Sequence, residues 1–151
     1  MSWQLVLALP LVAVLAGCQS LAETSVPSAE AFVATNEPRD LGRAHFERAD
    51  YALAERNFRT AVERNPADLT SWIGLAASYD HLGRFDLADR AYEQAIKLSG
   101  ESFEILNNRG FSYMLRGDVR RAAVMLRRAK ALNPADPIVA NNLTLLSQSR
   151  T

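Results

Sequence analysis

The chain has 151 residues and carries 17 basic and 17 acidic side chains, so its formal net charge at neutral pH is zero. This balance gives no electrostatic reason to expect binding to nucleic acid or to an acidic membrane surface. The single cysteine, Cys18, excludes both an intrachain disulfide and a zinc site built from cysteines.

The first segment is an apolar run over residues 5–16 that ends in Leu-Ala-Gly-Cys at Cys18. The run is shorter than the about 20 residues of a membrane-spanning helix, and it has the length of the apolar core of a secretory signal. Small residues directly before a cysteine resemble the lipobox of bacterial lipoproteins. No Lys or Arg lies in residues 1–4, which departs from the usual positive start of such a signal.

The lipobox resemblance implies that Cys18 is diacylglycerated, becomes the mature N-terminus after cleavage and is then acylated at its amine. Two or three acyl chains anchor a protein stably to a membrane, whereas one chain is marginal. Gln19 rather than Asp follows the cysteine, and the resemblance then favours the outer membrane, facing the periplasm. The alternatives are a plain signal peptide with an incidental cysteine, or a buried N-terminal helix.

The next segment, residues 20–36, is rich in Ser, Ala, Thr and Glu and has no helical apolar stripe. It is typical of a flexible linker with a reach of roughly 20–25 Å. A short helix over residues 29–34 is the alternative. The predicted domains are therefore a signal peptide over 1–17, a lipidated N-terminus and linker over 18–36, and a helical domain over 37–149.

The helical domain repeats itself with a period of about 34 residues. Small and large apolar residues recur at this step in helical spacing, and each unit ends at a proline or glycine. The recurring sets are Ala54, Ala88 and Ala122; Phe58, Tyr92 and Leu126; Ala61, Ala95 and Ala129; and Pro66, Gly100 and Pro134. Together with Trp72, Leu75 and Tyr79 in the middle unit, this pattern resembles the tetratricopeptide repeat.

The resemblance implies an all-α solenoid of three helix–turn–helix repeats, over about 35–68, 69–102 and 103–136, followed by a capping helix over 137–149. Gly83 and Gly117 are placed to adopt a left-handed conformation after a helix. Asp50 and Asp118 are predicted to cap the second helices of their units. Asp136, followed by a proline, is predicted to start the capping helix.

The first helices of such repeats line a concave groove, which in this family is a usual binding face for protein partners. We project the groove from residues beside the packing positions, and expect it to be basic at one end and apolar at the other. These residues are Arg39, Arg43, Phe46, Ile73, Ala77, Asp80, Asn107, Phe111, Met114 and Asn141. Asparagine can hold the backbone of an extended peptide; the alternative is a role in packing or solvation.

Members of the family with a carboxylate clamp hold a peptide's terminal carboxylate with basic and polar groove residues. Arg39 and Arg43 match this pattern in part, but Gly74 and Glu104 stand where polar and basic clamp residues would lie. Clamp binding is therefore not predicted.

A second candidate surface is the strongly basic second helix of the third unit. It is interpreted as a solvated face whose cations interact favourably with the helix dipole near the C-terminus. The alternative is a docking stripe for an acidic partner or anionic lipid. Its basic residues are Arg120, Arg121, Arg127, Arg128 and Lys130.

The sequence indicates no enzyme, no cofactor and no metal site. It contains no nucleophile elbow, zinc-protease or phosphate-loop motif. Asp80 and His81 are adjacent, but neighbours on a helix point about 100° apart and do not face each other. His45 shares its repeat position with Tyr79 and Tyr113 and is interpreted as a packing residue.

The last repeats resemble those of TadD-type lipoproteins of the tight-adherence (Tad/Flp) pilus machinery. The similarity lies in residues 105–113, in the Arg-Gly-Asp turn at 116–118, and in residues 133–143. It implies a membrane-anchored scaffold that helps to assemble or localise the pilus secretion apparatus, with its secretin or other components as partners. The alternatives are an adaptor for peptidoglycan enzymes and a type IV pilotin-like secretin assembly factor.

Overall fold

The computed structural model describes residues 37–148, which form seven α-helices and no strand. Consecutive helices pair as three hairpins, α1–α2, α3–α4 and α5–α6, and α7 packs on the third. The helices are α1 (Pro38–Glu47), α2 (Tyr51–Arg64), α3 (Leu69–His81), α4 (Phe85–Ser99), α5 (Phe103–Leu115), α6 (Val119–Leu132) and α7 (Pro137–Gln148). The predicted signal peptide, Cys18 and the linker lie outside the described residues.

The core is built from the residues that recur every 34 positions. Ala54, Ala88 and Ala122 are fully buried, which lets the two helices of each hairpin approach closely. The large member of the middle unit, Tyr92, is 1% exposed, and its counterparts Phe58 and Leu126 are also buried. The predicted all-α repeat fold is confirmed.

The turns inside the hairpins follow the prediction except at one cap. Gly83 and Gly117 have φ of 69° and 73°, the left-handed region that favours glycine. Asp118 accepts a hydrogen bond from the backbone N–H of Arg121. Asp50 occupies the predicted N-cap position of α2, but its side chain accepts no hydrogen bond there, so side-chain capping by this residue is wrong. Its carboxylate lies 3.6 Å from Nδ1 of His45 instead.

The capping helix is held at both ends of its buried face. Asp136 accepts hydrogen bonds from the N–H groups of Ile138 and Val139, as its position before a proline predicts. Val139 and Leu146 are buried against the third hairpin. α7 therefore covers an apolar surface that would otherwise end the array.

Two glycines let one aromatic ring through to the concave side. A Cβ atom built on Gly42 would lie 2.8 Å from the Phe58 ring, and one built on Gly74 would lie 2.5 Å from it. Non-bonded carbon atoms do not approach so closely. The Phe58 ring therefore fills the space between α1 and α3 only because positions 42 and 74 lack a side chain.

Candidate functional site

A cavity of about 440 Å³ crosses the concave side of all three hairpins. Its lining comes chiefly from α1, α3 and α5, the first helices of the three hairpins, with α7 closing one side. Phe58 and Tyr92 reach it from the second helices. A cavity of this size has room for a few side chains of a bound segment rather than for a whole domain.

The polarity of the cavity changes along the helices rather than from one hairpin to the next. Arg39 and Glu104 line it near the start of α1 and α5, whereas Phe46, His81 and Phe111 line it near the ends of α1, α3 and α5. The expected apolar end exists, but the other end is of mixed charge rather than basic, because Asp40 and Glu104 accompany Arg39 and Arg43 there. Each end combines residues from more than one repeat, because equivalent positions of the three first helices lie side by side.

The apolar end is an aromatic cluster that joins the hairpins. His81 stacks on Tyr51, with ring centroids 4.0 Å apart and planes 4° from parallel. The same imidazole meets Phe46 edge-on at 5.4 Å and lies 6.0 Å from the ring of Phe111. Aromatic rings at such separations attract one another, so the cluster offers an apolar site whose walls belong to three repeats.

The protonation of His81 depends on this setting. Partial burial among the rings lowers the pKa of the imidazole below its usual 6.5, and the nearby charge of Asp80 acts in the opposite direction. The neutral form is therefore favoured near pH 7, which suits an apolar contact.

Asp80 lies next to His81 in sequence but belongs to a buried polar network between the second and third hairpins. Its carboxylate accepts hydrogen bonds from the hydroxyl of Tyr92 at 3.0 Å and from that of Ser112 at 2.6 Å. Burial raises the pKa of Asp80, while the two hydrogen bonds and the charge of Arg116 lower it. The residue thus lines the cavity and at the same time joins α3 to α4 and α5.

Arg116 extends this network to the outer helix of the second hairpin. Its guanidinium donates to both carboxylate oxygens of Asp89 at 2.7 and 2.8 Å, and lies 3.6 Å from Asp80. It also lies over the rings of Phe85 and Tyr113, at 4.9 and 5.1 Å from their centroids. A bidentate, stacked guanidinium fixes the geometry between repeats in a way that a lysine could not.

On the α7 side, the groove lining includes one buried amide pair. The Nδ2 of Asn142 donates to Oδ1 of Asn107 at 2.9 Å, and both residues are buried. Asn142 therefore belongs to the packed face of α7. The side-chain oxygen of Asn107, which was predicted to contact a peptide, instead accepts a hydrogen bond that joins α5 to α7.

The structure brings together eight of the ten residues predicted for the groove. Those lining the cavity are Arg39, Arg43, Phe46, Ile73, Ala77, Asp80, Asn107 and Phe111. Asn141 is exposed outside this lining, because one helical step places Asn142 there in its stead. Met114 packs against the buried cluster around Tyr113 and Leu126. Whether the eight residues bind a partner stays a prediction.

Sequence reasoning missed His81 and Phe58 as lining residues. His81 comes one residue after Asp80, which was predicted to line the groove. Both side chains lie in the last turn of α3 and line the cavity. Phe58 belongs to a packing position of a second helix. The glycines at positions 42 and 74 could have indicated this, because the absence of side chains there lets the Phe58 ring reach the groove.

The basic helix α6 is partly neutralised by neighbouring acids. Arg121 pairs with Asp118, and Arg128 pairs with Glu101. Arg127 is exposed to solvent, as are Arg120 and Lys130. Within residues 37–148 there is no group of three or more His, Cys, Asp or Glu side chains that could hold a metal ion.

A groove built across stacked helical hairpins, with an apolar end and polar walls, defines a helical-repeat protein with a concave face. The sequence model of the tetratricopeptide repeat matches residues 39–88 and 78–137. The chain belongs to the tetratricopeptide repeat family. No helix within the described part of the chain is long and apolar enough to cross a membrane.

Curated relatives share parts of this repeat region. The cytochrome c-type biogenesis protein CycH of Bradyrhizobium diazoefficiens is 42% identical over 79 residues, which are 50% of this chain and 21% of that protein. The tetratricopeptide repeat-containing protein trd-1 of Caenorhabditis elegans is 27% identical over 109 residues, covering 72% of this chain and 14% of the relative. The chain thus spans only a small fraction of these relatives.

Solved structures show the same fold at low sequence identity. The second TPR domain of human RPAP3, in complex with the HSP70 peptide SGPTIEEVD, has a TM-score of 0.63 and 19% identity, covering 74% of this chain and 92% of that one. The Yersinia enterocolitica type III secretion chaperone SycD, in complex with a peptide of the translocator YopD, has a TM-score of 0.61 and 18% identity. It covers 81% of this chain and 91% of that chain.

Proposed function

We propose that this protein is a membrane-anchored interaction scaffold whose concave groove holds an extended segment of a protein partner. The observation that carries the proposal is the cavity across α1, α3 and α5, with an aromatic end and polar walls. Structural neighbours of the same fold have been solved with peptides, which supports a peptide-sized ligand. The mechanism is binding and positioning, without a chemical step.

The partner we propose belongs to a Tad/Flp-type pilus secretion apparatus, which the protein would help to assemble or localise. The support is the resemblance of the last repeats to TadD-type lipoproteins, together with the lipobox that ends at Cys18. Acylation of Cys18 would hold the repeats near the periplasmic face of the outer membrane, where a secretin assembles.

A second candidate is an assembly factor for c-type cytochromes. It is favoured by the 42% identity to CycH over 79 residues. Both candidates need the same groove and differ only in its ligand, so identification of the captured partner separates them.

The experiment is capture of partners from the native membrane fraction with the full chain, comparing two double variants. Phe46→Ala with Phe111→Ala removes two walls of the aromatic end, and partner recovery should fall at least about tenfold if each ring contributes 1 kcal/mol or more. Leu87→Ala with Leu98→Ala is the matched control, because both leucines are exposed and neither lines the cavity. Equal recovery by both double variants would refute the groove as the binding face.

The anchor is tested separately through Cys18→Ala. The variant should lack the mass of the acyl groups and keep the mass of residues 1–17, because no thiol remains to be acylated and cleavage before Cys18 follows that acylation. Intact-mass measurement with fractionation decides the matter. A variant that stays at the membrane with unchanged mass would contradict lipidation.

A further inference from the structure

The first described helix begins at the rim of the groove. Glu37 has an extended backbone, with φ of −72° and ψ of 124°, and Arg39 already lines the cavity. The residues directly before Glu37 therefore start beside the groove, close enough to fold back into it.

We propose that residues 29–36 of this chain occupy its own groove, with the Phe32 side chain against the aromatic end. The segment reads Ala-Glu-Ala-Phe-Val-Ala-Thr-Asn, one large ring and one valine among small and polar residues, with Glu30 as its one charged side chain. Phe32 is the only Phe, Tyr or Trp between Cys18 and the first groove aromatic, Phe46. A single ring next to small side chains fits a site whose walls are rings and whose lining includes the small side chain of Ala77.

The chain is long enough for this contact. Along α1, Arg39 and Phe46 are separated by roughly 10 Å at 1.5 Å per residue. The five steps from Glu37 back to Phe32 span up to about 17 Å in an extended conformation. The difference leaves length for the reversal that the segment needs before α1.

The short connection also favours this occupant over others. A segment joined to its site by a few residues is present at an effective concentration in the millimolar range. Even a modest preference of Phe32 for the aromatic end would then keep the groove occupied. The same segment of a second copy has no such advantage at the concentration of an ordinary envelope protein.

This inference deepens the proposed function, since it rests on the groove as a binding face and adds its regulation. A partner would have to displace Phe32, and its apparent affinity would be reduced by the fraction of molecules in which the groove is open. Displacement would also free residues 29–36, so that the linker to the membrane becomes longer when a partner is bound.

The first test is photo-cross-linking in intact cells with p-benzoyl-L-phenylalanine in place of Phe32 in the full chain. We expect cross-links within one chain, at the mass of the monomer, to peptides that contain Phe46, His81 or Phe111. Ala77→Arg, which fills the cavity, should reduce their yield several-fold, whereas Leu98→Arg, exposed outside the cavity, should not. Products at the dimer mass, a yield unaffected by Ala77→Arg or no groove product would each overturn the proposal.

The second test needs no cross-linker. Phe32→Ala should increase the rate at which diethyl pyrocarbonate modifies His81 several-fold, because the imidazole loses its cover, while Val26→Ala should leave the rate unchanged. Both substitutions lie outside the described helices, and unchanged helical circular dichroism verifies the fold. An equal rate in wild type and Phe32→Ala overturns self-occupancy. Since neither test includes a partner, this failure is distinguishable from failure of partner capture.

Discussion

At the scale of single residues, Asp80 shows how one side chain can belong to both the groove and the core. Replacement of Asp80 by Ala leaves the buried hydroxyls of Tyr92 and Ser112 without their acceptor. We expect the free energy of unfolding to fall by about 2–3 kcal/mol. Urea denaturation followed by circular dichroism measures the change. Glu93→Ala, at an exposed site in the middle of α4, is the control and should change stability by less than about 0.5 kcal/mol.

The ionisation of Asp80 gives a pH-dependent test of the same network. Burial raises the pKa of Asp80 in the folded state above the unfolded value of 3.8. The folded state then binds the proton more tightly, so the contribution of this group to stability is greatest at low pH and is lost as pH rises through the raised pKa. The stability of wild type relative to Asp80→Asn should decline over that window and then level off. Unfolding free energies at a series of pH values would show the opposite slope if the carboxylate were stabilised.

His81 gives a second titration, of opposite sign. Because burial lowers its pKa below 6.5, the stability it contributes is present above that pH and is lost as pH falls towards the folded-state pKa. An NMR titration of the imidazole should give a pKa below 6.5 in the wild type. It should give a higher value in Phe111→Ala, where one covering ring is gone. Leu98→Ala should leave the titration unchanged.

How far these residue roles could be predicted depends on where their partners lie. Asp80 and His81 have different partners, since adjacent helical residues point in different directions, although both also line the cavity. The hydrogen bond from Ser112 to Asp80 could not be predicted, because it joins two hairpins whose relative rotation the sequence pattern does not fix. The aromatic cluster was missed for the same reason, since each hairpin contributes only one or two of its rings.

At the scale of elements, the contact between hairpins depends on glycines within helices. Gly74→Ala places a methyl group about where the Phe58 ring lies, since a Cβ atom at this position comes within 2.5 Å of that ring. We expect a loss of about 1–3 kcal/mol in the free energy of unfolding, as for other overpacked cores. Thermal and urea unfolding measure it.

A double variant distinguishes overpacking from the ordinary helix preference of alanine. In the background of Phe58→Leu the methyl group has space, so Gly74→Ala should become neutral or stabilising there. A loss of the same size in both backgrounds would show that contact with the ring is not the cause.

The helices themselves were largely predictable, because a 34-residue period constrains many positions at once. Ala88, Tyr92 and Ala95 share one buried face of α4, in register with the same positions of α2 and α6. The cap at Asp50 was not predictable from residue type alone. Its carboxylate lies 3.6 Å from Nδ1 of His45 and 3.7 Å from Nε of Arg48, and these contacts take the place of the bond to the helix N-terminus.

At the scale of the whole molecule, α7 closes the array. A chain that ends at Asp136 loses the burial of Val139 and Leu146 and exposes the surface around Leu106. Losing these two side chains costs about 3–6 kcal/mol at the usual 1.5–3 kcal/mol each. Thermal unfolding should show a lower midpoint, and size-exclusion chromatography should show association. A chain that ends at Gln148 should behave like the full chain; equal behaviour of both truncations would argue against a capping role.

The aromatic cluster has a mechanical consequence for the array. Its rings come from three successive hairpins, so the separation between Phe46 and Phe111 reports the superhelical curvature. A side chain wedged between them must flatten the curve, and one that draws them together must tighten it. The shape of a bound ligand would thus set the pitch of the superhelix, and the distance between the two ends of the repeat array would lengthen or shorten with it.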